Sequence, residues 1–392
     1  MQLSLFQRES YKDGLPLKDR IGEFTKFPFK DYPYKKRNWG HGYHFLCSYQ
    51  SKLKPAIAHF LVKLFTDKND TVLDPFSGSG TIPFEACLQG RIGIGVDINP
   101  VAYHNTRAKV GRPSDTEVWD IIDKLQDFIQ KYELSDEDRG QVLVSNINGI
   151  LQEYYEETTF QEILKARKFF LQIPYDCSPA YSLSLACLLH ILHGNRPYAL
   201  SRRSHGLTPF SPSGDFIYKP LVTLLKRKLE RTLQHDFPDE YIQGEAYLES
   251  IFKFPYYINQ VDHIITSPPF INSTRFYLNN WIRLWFCGWT DEDFRTSQRT
   301  DFLEKLQAKD ISIYENVFIK FNQLLKSGGQ CVMHLGVVRK RDMGIELVPH
   351  AERAGFRKVA LIYEDVERCE SHGITDQGST IKHAFLFLKK VL

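Results

Sequence analysis

The sequence feature that most constrains the fold is a glycine-rich stretch at residues 71–100, TVLDPFSGSGTIPFEACLQGRIGIGVDINP. An apolar run, Thr71–Leu73, ends in Asp74 and is followed by a turn at Ser77–Gly80. Apolar residues then recur at helical spacing over Ile82–Leu88. This order predicts a strand, a tight loop and a helix.

A second apolar run, Ile92–Val96, ends in another carboxylate, Asp97. Because Gly78 and Gly80 have no Cβ, the backbone between the first strand and the helix can turn sharply and approach a ligand closely. A carboxylate at the end of the next strand can accept hydrogen bonds from both hydroxyls of a ribose. Pro83 replaces the third glycine of the dinucleotide pattern G-x-G-x-x-G. The stretch therefore predicts a nucleoside-binding half of an open parallel sheet, and the alternative is a turn whose glycines serve packing only.

Two strings in the chain resemble the S-adenosylmethionine-dependent DNA amino-methyltransferases. DPFSGSGT, which begins at Asp74, is similar to their first motif, and TSPPF at Thr266–Phe270 is similar to their catalytic motif. The resemblance runs from about Phe45 to the C-terminus, with a divergent middle. It implies a class I methyltransferase (Rossmann-like) α/β fold with a mostly parallel seven-stranded sheet and an antiparallel last pair. It also implies that S-adenosylmethionine, converted to S-adenosylhomocysteine, contacts Asp74, Pro75, Phe76, Gly78, Gly80, Thr81, Asp97 and Ile98.

Further cofactor contacts follow only from this resemblance. A segment before the glycine loop closes over the methionine end of the cofactor in the family, which makes Ser48, Tyr49 and Lys52 candidates for its carboxylate. An acidic residue after the third strand accepts the adenine amino group in the family, and Glu245 is expected just after a short strand that resumes at Tyr241. The alternative for Tyr49 and Lys52 is that they merely flank the start of a helix. The alternative for Glu245 is an exposed glutamate in a loop.

The SPPF string follows the apolar residues Ile264 and Ile265, which predict a strand whose carboxyl end is where open α/β sheets bind their ligands. An exocyclic amine is a weak nucleophile because its lone pair is spread into the base ring. The Ser267 hydroxyl and the Pro268 carbonyl can accept the two amine hydrogens, while Pro268 and Pro269 fix the backbone. Phe270 can stack on a base that has been flipped out of the duplex. The alternative for a bare SPPF is an ordinary turn.

The target base and the substrate remain open at this point. Serine at position 267 resembles the cytosine-N4 enzymes, whereas Asp or Asn would resemble the adenine-N6 enzymes. The sequence therefore favours N4 of cytosine over N6 of adenine. The two motifs are also compatible with an RNA amino-methyltransferase, or with a DNA-binding subunit that has no catalytic activity.

The domain organisation is expected to have three parts. Residues 1–44 form an N-terminal arm, residues 45–102 and 240–392 form the catalytic domain, and residues 103–239 form a helical insertion that is the candidate for target recognition. Amphipathic helices are predicted at Trp119–Tyr132 and Tyr181–His193 in the insertion. Later strands are predicted at Gln330–Leu335, Lys358–Tyr363 and His383–Leu388.

Candidate nucleic-acid contacts combine guanidinium or ammonium groups with neighbouring aromatic residues. The basic loop, Arg196–Ser213, contains Arg196, Arg202 and Arg203, and its alternative is an irregular loop packed on the domain. Asn272 and Arg275 follow the catalytic motif, and a loop after the fifth strand contains Arg339 and Lys340.

Composition sets the remaining expectations. The net charge of +3 is too small to identify a nucleic-acid binder, so any basic surface has to be local. The 7 cysteines are scattered without a C-x-x-C pair, which argues against a metal site or a disulfide framework. With no apolar run long enough to cross a membrane, we expect a cytoplasmic protein that associates with the nucleoid when bound to double-stranded DNA. A cognate restriction endonuclease or a defence-system partner is compatible with such an enzyme.

Overall fold

A single mixed sheet forms the centre of the computed structural model, which describes residues 16–36, 38–140, 149–174, 178–206, 208–255, 261–271, 276–300, 302–365 and 380–391. The strands are β1 (Thr71–Asp74), β2 (Ile92–Asp97), β3 (Glu245–Leu248), β4 (Val261–Thr266), β5 (Leu325–Val338), β6 (Arg341–Asp342), β7 (Phe356–Asp365) and β8 (Thr380–Lys390).

The order of the strands is β3-β2-β1-β4-β5-β8-β7, and the two-residue β6 pairs only with β5. The strands from β3 to β5 are parallel, whereas β8 is antiparallel to both β5 and β7. The predicted α/β fold with a mostly parallel sheet and an antiparallel last pair is confirmed. The three predicted late strands are also confirmed, each extended at both ends.

The helices are α1 (Leu17–Phe24), α2 (Pro55–Phe65), α3 (Thr81–Leu88), α4 (Pro100–Val110), α5 (Asp115–Lys131), α6 (Asp136–Gly140), α7 (Glu157–Leu171), α8 (Pro179–Ile191), α9 (Leu221–Leu233), α10 (Phe276–Asn279), α11 (Trp281–Phe286), α12 (Asp291–Thr300), α13 (Leu303–Lys309), α14 (Ile313–Leu324), α15 (Met343–Glu346) and α16 (Val348–Arg353). Local chemistry sets several starts. In α4, Asn99 caps the Val101 N–H at 2.9 Å and Pro100 occupies the first turn, where its missing N–H costs nothing.

Helices cover both faces of the sheet. Because side chains alternate along a strand, neighbouring residues pack on opposite faces. One face packs against α1 and α2 and includes Val72, Ile265, Val332 and Phe385. The other packs against α14 and includes Leu73, Ile264, Met333 and Leu386. The strand ends therefore lie between two apolar layers.

The helices α4 to α9 lie between β2 and β3, and α8 is at their centre. Residues 180–191 of α8 are all buried, so the predicted amphipathic character of Tyr181–His193 is wrong. A helix packed on all sides shows no polar stripe. In the described ranges, no helix combines the length and apolar character that a membrane crossing requires.

Candidate active site

The two sequence motifs meet at the carboxyl edge of the sheet. Strands β1 and β4 are parallel neighbours, with Val72 paired to His263 and Leu73 to Ile264. At their ends, the Thr266 hydroxyl donates a 2.7 Å hydrogen bond to Asp74 Oδ1. The glycine loop and the SPPF segment therefore start from adjacent strand ends, as their positions predicted.

The two glycines of the loop have different structural roles. Gly80 has a φ of 71°, and a Cβ there would lie 2.6 Å from Thr106 Oγ1, so the loop packs directly on α4. Gly78 has a φ of 50°, and the nearest atom to a Cβ there would be in the Tyr49 ring, at 3.5 Å. Close packing thus explains Gly80, whereas a Cβ at Gly78 would meet only ordinary van der Waals contacts, and its positive φ accounts for the glycine.

Asp97 and Asp74 are carboxyl groups held by backbone N–H donors. Asp97 accepts hydrogen bonds from the Gly78 N–H at 2.8 Å and the Asn99 N–H at 2.9 Å. Burial nevertheless raises the pKa of Asp97 to about 6. Burial also raises the pKa of Asp74 to about 7, and the negative charge of Asp97 contributes to that rise. A positively charged ligand near these groups would favour their ionised forms.

A cavity of about 160 Å³ lies beyond the ends of β2 and β3. Its lining mixes apolar, aromatic and polar side chains from these strand ends and from the segments facing them: Ile98, Leu248, Glu249, Ser250, Lys253, Trp289 and Phe302. Ile98, a predicted cofactor contact, therefore borders an open space next to Asp97.

The expected position of Glu245 after a strand is wrong. Glu245 is the first residue of β3 and pairs with Ile94, three positions before Asp97 pairs with Leu248. The preceding residues do not pair with β2, because the Ile242 and Gly244 N–H groups bind the carbonyls of Cys87 and Val110. Glu245 is therefore at the opposite end of β3 from the cavity, and Glu249 follows the strand instead. An error of one strand length in the predicted start of β3 caused this misplacement.

The three candidates before the glycine loop have separate contacts. The Tyr49 hydroxyl accepts a hydrogen bond from Asn99 Nδ2 at 3.1 Å, beside the glycine loop. Ser48 Oγ lies 3.4 Å from His190 Nδ1. Lys52 Nζ donates to the His44 carbonyl at 2.7 Å. Only Tyr49 of the three is placed against Gly78.

Glu304, on α13, is a site residue that the sequence did not indicate. Burial raises its pKa to about 7, and the negative charge of Asp97 contributes. Its Oε1 atom has no hydrogen-bond partner among the described residues. The segment LEKLQAK resembles a solvated helix, so only the tertiary structure places this carboxyl group near Asp97.

The SPPF segment is fixed by two polar contacts. Ser267 Oγ lies 3.0 Å from His334 Nδ1, and the Pro269 carbonyl accepts a hydrogen bond from Gln307 Nε2 at 2.9 Å. Phe270 packs over Gly336, where a Cβ would lie 2.6 Å from the Phe270 ring. His334 was also missed, although a single histidine inside the apolar run of β5 was a usable signal.

The three arginines of the basic loop have different surroundings. Arg196 Nη1 donates to the Tyr198 hydroxyl at 2.6 Å, and Arg202 donates to the carbonyls of Gly214 and Glu153, each at 2.9 Å. Arg203 is exposed. The loop lies next to the segment after the SPPF motif, because Thr208 Oγ1 is 3.1 Å from Asn279 Oδ1.

The remaining nucleic-acid candidates divide into two groups. Arg339 and Lys340 are exposed in the turn at the carboxyl end of β5, where they were predicted. Asn272 and Arg275 lie outside the described residues.

The strand order, with an antiparallel strand between β5 and β7, defines a class I methyltransferase fold. Residues 7–107 match the sequence model of a family described as DNA methylase. This match confirms the resemblance in the glycine-loop motif and supports assignment to the N4-cytosine/N6-adenine DNA amino-methyltransferase family. No curated protein matches the sequence.

Several solved structures are similar at low identity. TrmN from Thermus thermophilus is 12% identical over 89% of this chain and 52% of that chain, with a TM-score of 0.32. A SAM-dependent methyltransferase from Methanosarcina mazei is 11% identical over 85% and 97%, with a TM-score of 0.35. The rRNA methyltransferase AviRa from Streptomyces viridochromogenes is 9% identical over 88% of each chain, with a TM-score of 0.33. The chain spans about half the length of TrmN.

Proposed function

We propose that this chain is an S-adenosylmethionine-dependent DNA methyltransferase that modifies the exocyclic amino group of a flipped-out base, with N4 of cytosine as the favoured acceptor. The observation that carries this proposal is the contact between the ends of β1 and β4. The Thr266–Asp74 hydrogen bond brings the glycine loop and the SPPF segment to one edge of the sheet. Open α/β sheets bind their ligands at this edge.

The residues around the glycine loop suit the cofactor. S-adenosylmethionine, when bound, supplies a methyl group attached to a positively charged sulfonium. Three carboxyl groups, Asp74, Asp97 and Glu304, have raised pKa values, and a bound cation would favour their ionised forms. Asp97 would accept hydrogen bonds from the ribose hydroxyls. The cavity bordered by Ile98, Leu248 and Glu249 would hold the adenine ring. Glu249, instead of Glu245, would accept the hydrogen bond from the adenine amino group.

The SPPF segment would activate the target amine. Ser267 Oγ and the Pro268 carbonyl are acceptors that can each take one amine hydrogen, which draws the nitrogen lone pair out of the base ring. Phe270 is partly exposed and offers a ring for stacking on the flipped base. A direct displacement of this kind needs no covalent intermediate with the protein.

One feature favours DNA as the substrate, and another favours the helical insertion as the region that recognises the target. The family match is to a DNA methylase. The basic loop of the insertion is placed beside Asn279, in the chain segment that follows the catalytic motif. We therefore assign target recognition to residues 103–239, and Arg203, Arg339 and Lys340 are exposed cations that would contact phosphates.

The test is transfer of labelled methyl groups from S-adenosylmethionine to duplex DNA or to RNA, followed by mass spectrometry of the nucleosides. We expect N4-methylcytosine from duplex DNA. N6-methyladenine would correct the acceptor, label in RNA alone would correct the substrate, and no transfer to either would refute the enzymatic proposal.

Ser267→Ala should lower the single-turnover rate by about 100-fold, since one preorganised polar group at a reacting centre contributes about that much. Ser184→Ala is the matched control, because Ser184 is buried and its hydroxyl donates to its own helix carbonyl at 2.9 Å. A Ser267→Ala protein with the wild-type rate would remove this residue from the catalytic machinery.

A further inference from the structure

A buried histidine lies directly behind the proposed catalytic serine. Ser267 Oγ is 3.0 Å from His334 Nδ1. The register explains the contact, because Ile265 pairs with Val332 and Thr266 with Met333. The next residues, Ser267 and His334, are therefore neighbours. Because side chains alternate, they lie on the face of the sheet that contains Val332 and Phe385.

His334 occupies a position where an apolar side chain would otherwise be expected. It is buried in β5, and its ring centroid lies 5.0 Å from that of Phe385. Its Nε2 atom has no hydrogen-bond partner among the described residues. A buried polar group without a full set of partners costs stability, so packing alone gives no reason for a histidine here.

One titratable side chain, that of His383, packs on the His334 ring, and two more, on other elements, lie behind it. The His383 ring on β8 has its centroid 4.5 Å from the His334 ring. His383 Nδ1 is 3.8 Å from Glu364 Oε2 on β7, and Glu364 Oε1 is 3.4 Å from Lys30 Nζ of the N-terminal arm. Burial, followed by the charge of His383, lowers the pKa of His334 well below its ordinary value. The ring is therefore neutral near pH 7, and a neutral imidazole has one nitrogen that accepts a hydrogen bond.

We propose that His334 is a positioning residue of the methyl-transfer site: its Nδ1 accepts the Ser267 hydroxyl hydrogen and so turns the Ser267 oxygen lone pairs toward the target amine. This inference rests on the proposed function of Ser267. A serine hydroxyl carries one hydrogen and two lone pairs. If that hydrogen pointed at the amine, the hydroxyl would compete for the nitrogen lone pair instead of accepting an amine hydrogen. His334 removes this competing orientation.

Substitutions at His334 separate this role from a structural one. His334→Phe keeps an aromatic ring at this position and removes the acceptor, and it should fold because it replaces a partly unsatisfied buried group by an apolar one. We expect its single-turnover methylation rate at saturating cofactor to fall by about 10- to 100-fold. His334→Asn places an amide oxygen near the position of Nδ1, and it should recover most of the rate. The affinity for S-adenosylmethionine should be unchanged in both variants.

A second buried serine–histidine pair provides the matched control. His104 on α4 and Ser182 on α8 form this pair, with His104 Nδ1 3.1 Å from Ser182 Oγ. His104→Phe should leave the methylation rate at the wild-type value. Equal rate losses in His104→Phe and His334→Phe, or a wild-type rate in His334→Phe, would overturn the proposal.

A readout without catalysis tests the pair itself. Nitrogen NMR of cofactor-free protein with labelled histidine, assigned by loss of the signal in His334→Phe, should show the hydrogen of His334 on Nε2. Ser267→Ala removes the donor and should shift that tautomer equilibrium. A hydrogen on Nδ1 in the wild-type protein would refute the proposal. Since this measurement needs no methyl transfer, it stays informative even if the chain modifies neither DNA nor RNA.

Discussion

The glycine loop Ser77–Gly80 and the basic loop Arg196–Ser213 both contain glycine and polar side chains, but the structure arranges their polar groups in opposite ways. In the glycine loop, the Gly78 N–H binds the Asp97 carboxyl, and the loop contains no charged side chain of its own. In the basic loop, the Arg202 guanidinium donates to the carbonyls of Gly214 and Glu153, which lie outside the loop, and lies 4.0 Å from the centroid of Phe216. Local charge in a sequence therefore does not show which groups remain available to a ligand.

The largest effect should come from Asp97→Asn, which tests the glycine loop. Replacing the carboxylate by an amide should weaken the binding of S-adenosylmethionine by about 10- to 100-fold, the usual value of hydrogen bonds to a charged group. The pKa of Asp97 is raised to about 6, so wild-type affinity should fall as the pH drops from 7 to 5 and the carboxylate is protonated.

Calorimetry over this pH range measures both effects. Asp74 and Glu304 stay in place in Asp97→Asn, so any pH dependence left in the variant belongs to them. A variant that binds the cofactor as tightly as the wild-type protein would show that the site is elsewhere.

An intermediate effect is expected from Gly336→Ala, which tests the packing behind the SPPF segment. The added Cβ would lie 2.6 Å from the Phe270 ring and would displace it. The methylation rate should fall by about 10-fold because small displacements of positioning groups are costly. Gly22→Ala is the control, since a Cβ there has no neighbour within 4 Å. Equal activity of the two variants would argue against a role for Phe270.

The smallest effect should separate Arg203 from Arg202 in the basic loop. Arg203→Ala should weaken duplex DNA binding severalfold and reduce the slope of log affinity against log salt by about 1, as expected for the loss of one phosphate contact. Arg202→Ala should leave that slope unchanged and make the loop more susceptible to limited proteolysis, because the Gly214 and Glu153 carbonyls lose their donor. Identical salt slopes for Arg203→Ala and the wild-type protein would contradict the proposed phosphate contact.

Several parts of the fold could be predicted because their signals are local. Short apolar runs located β1, β2 and β4, and the glycines between β1 and α3 located the loop. Strands that run parallel in one sheet end at the same edge, so Asp74, Asp97 and Ser267 could be placed near one another before any coordinates were known.

The start of β3 shows where local signals are insufficient. The apolar residues from Tyr241 suggested a strand, but the Ile242 and Gly244 N–H groups bind carbonyls outside the sheet. The strand therefore begins at Glu245, and the acidic residue at its carboxyl end is Glu249. The residue that fills the acidic position after β3 depends on how β3 pairs with β2, and the sequence did not define that pairing.

By itself, the sequence determined the glycine loop and the position of Ser267 at a strand end, because each depends on residues close together in the chain, and two short motifs carried the resemblance that implied the class I sheet. Only the tertiary structure decided that His334 lies against Ser267, that the charge of Asp97 reaches Glu304 and that Arg202 binds the carbonyls of Gly214 and Glu153. These contacts join residues 67 positions apart in the case of Ser267 and His334. Strand pairing and helix packing bring such residues together, and neither leaves a short-range pattern in the sequence.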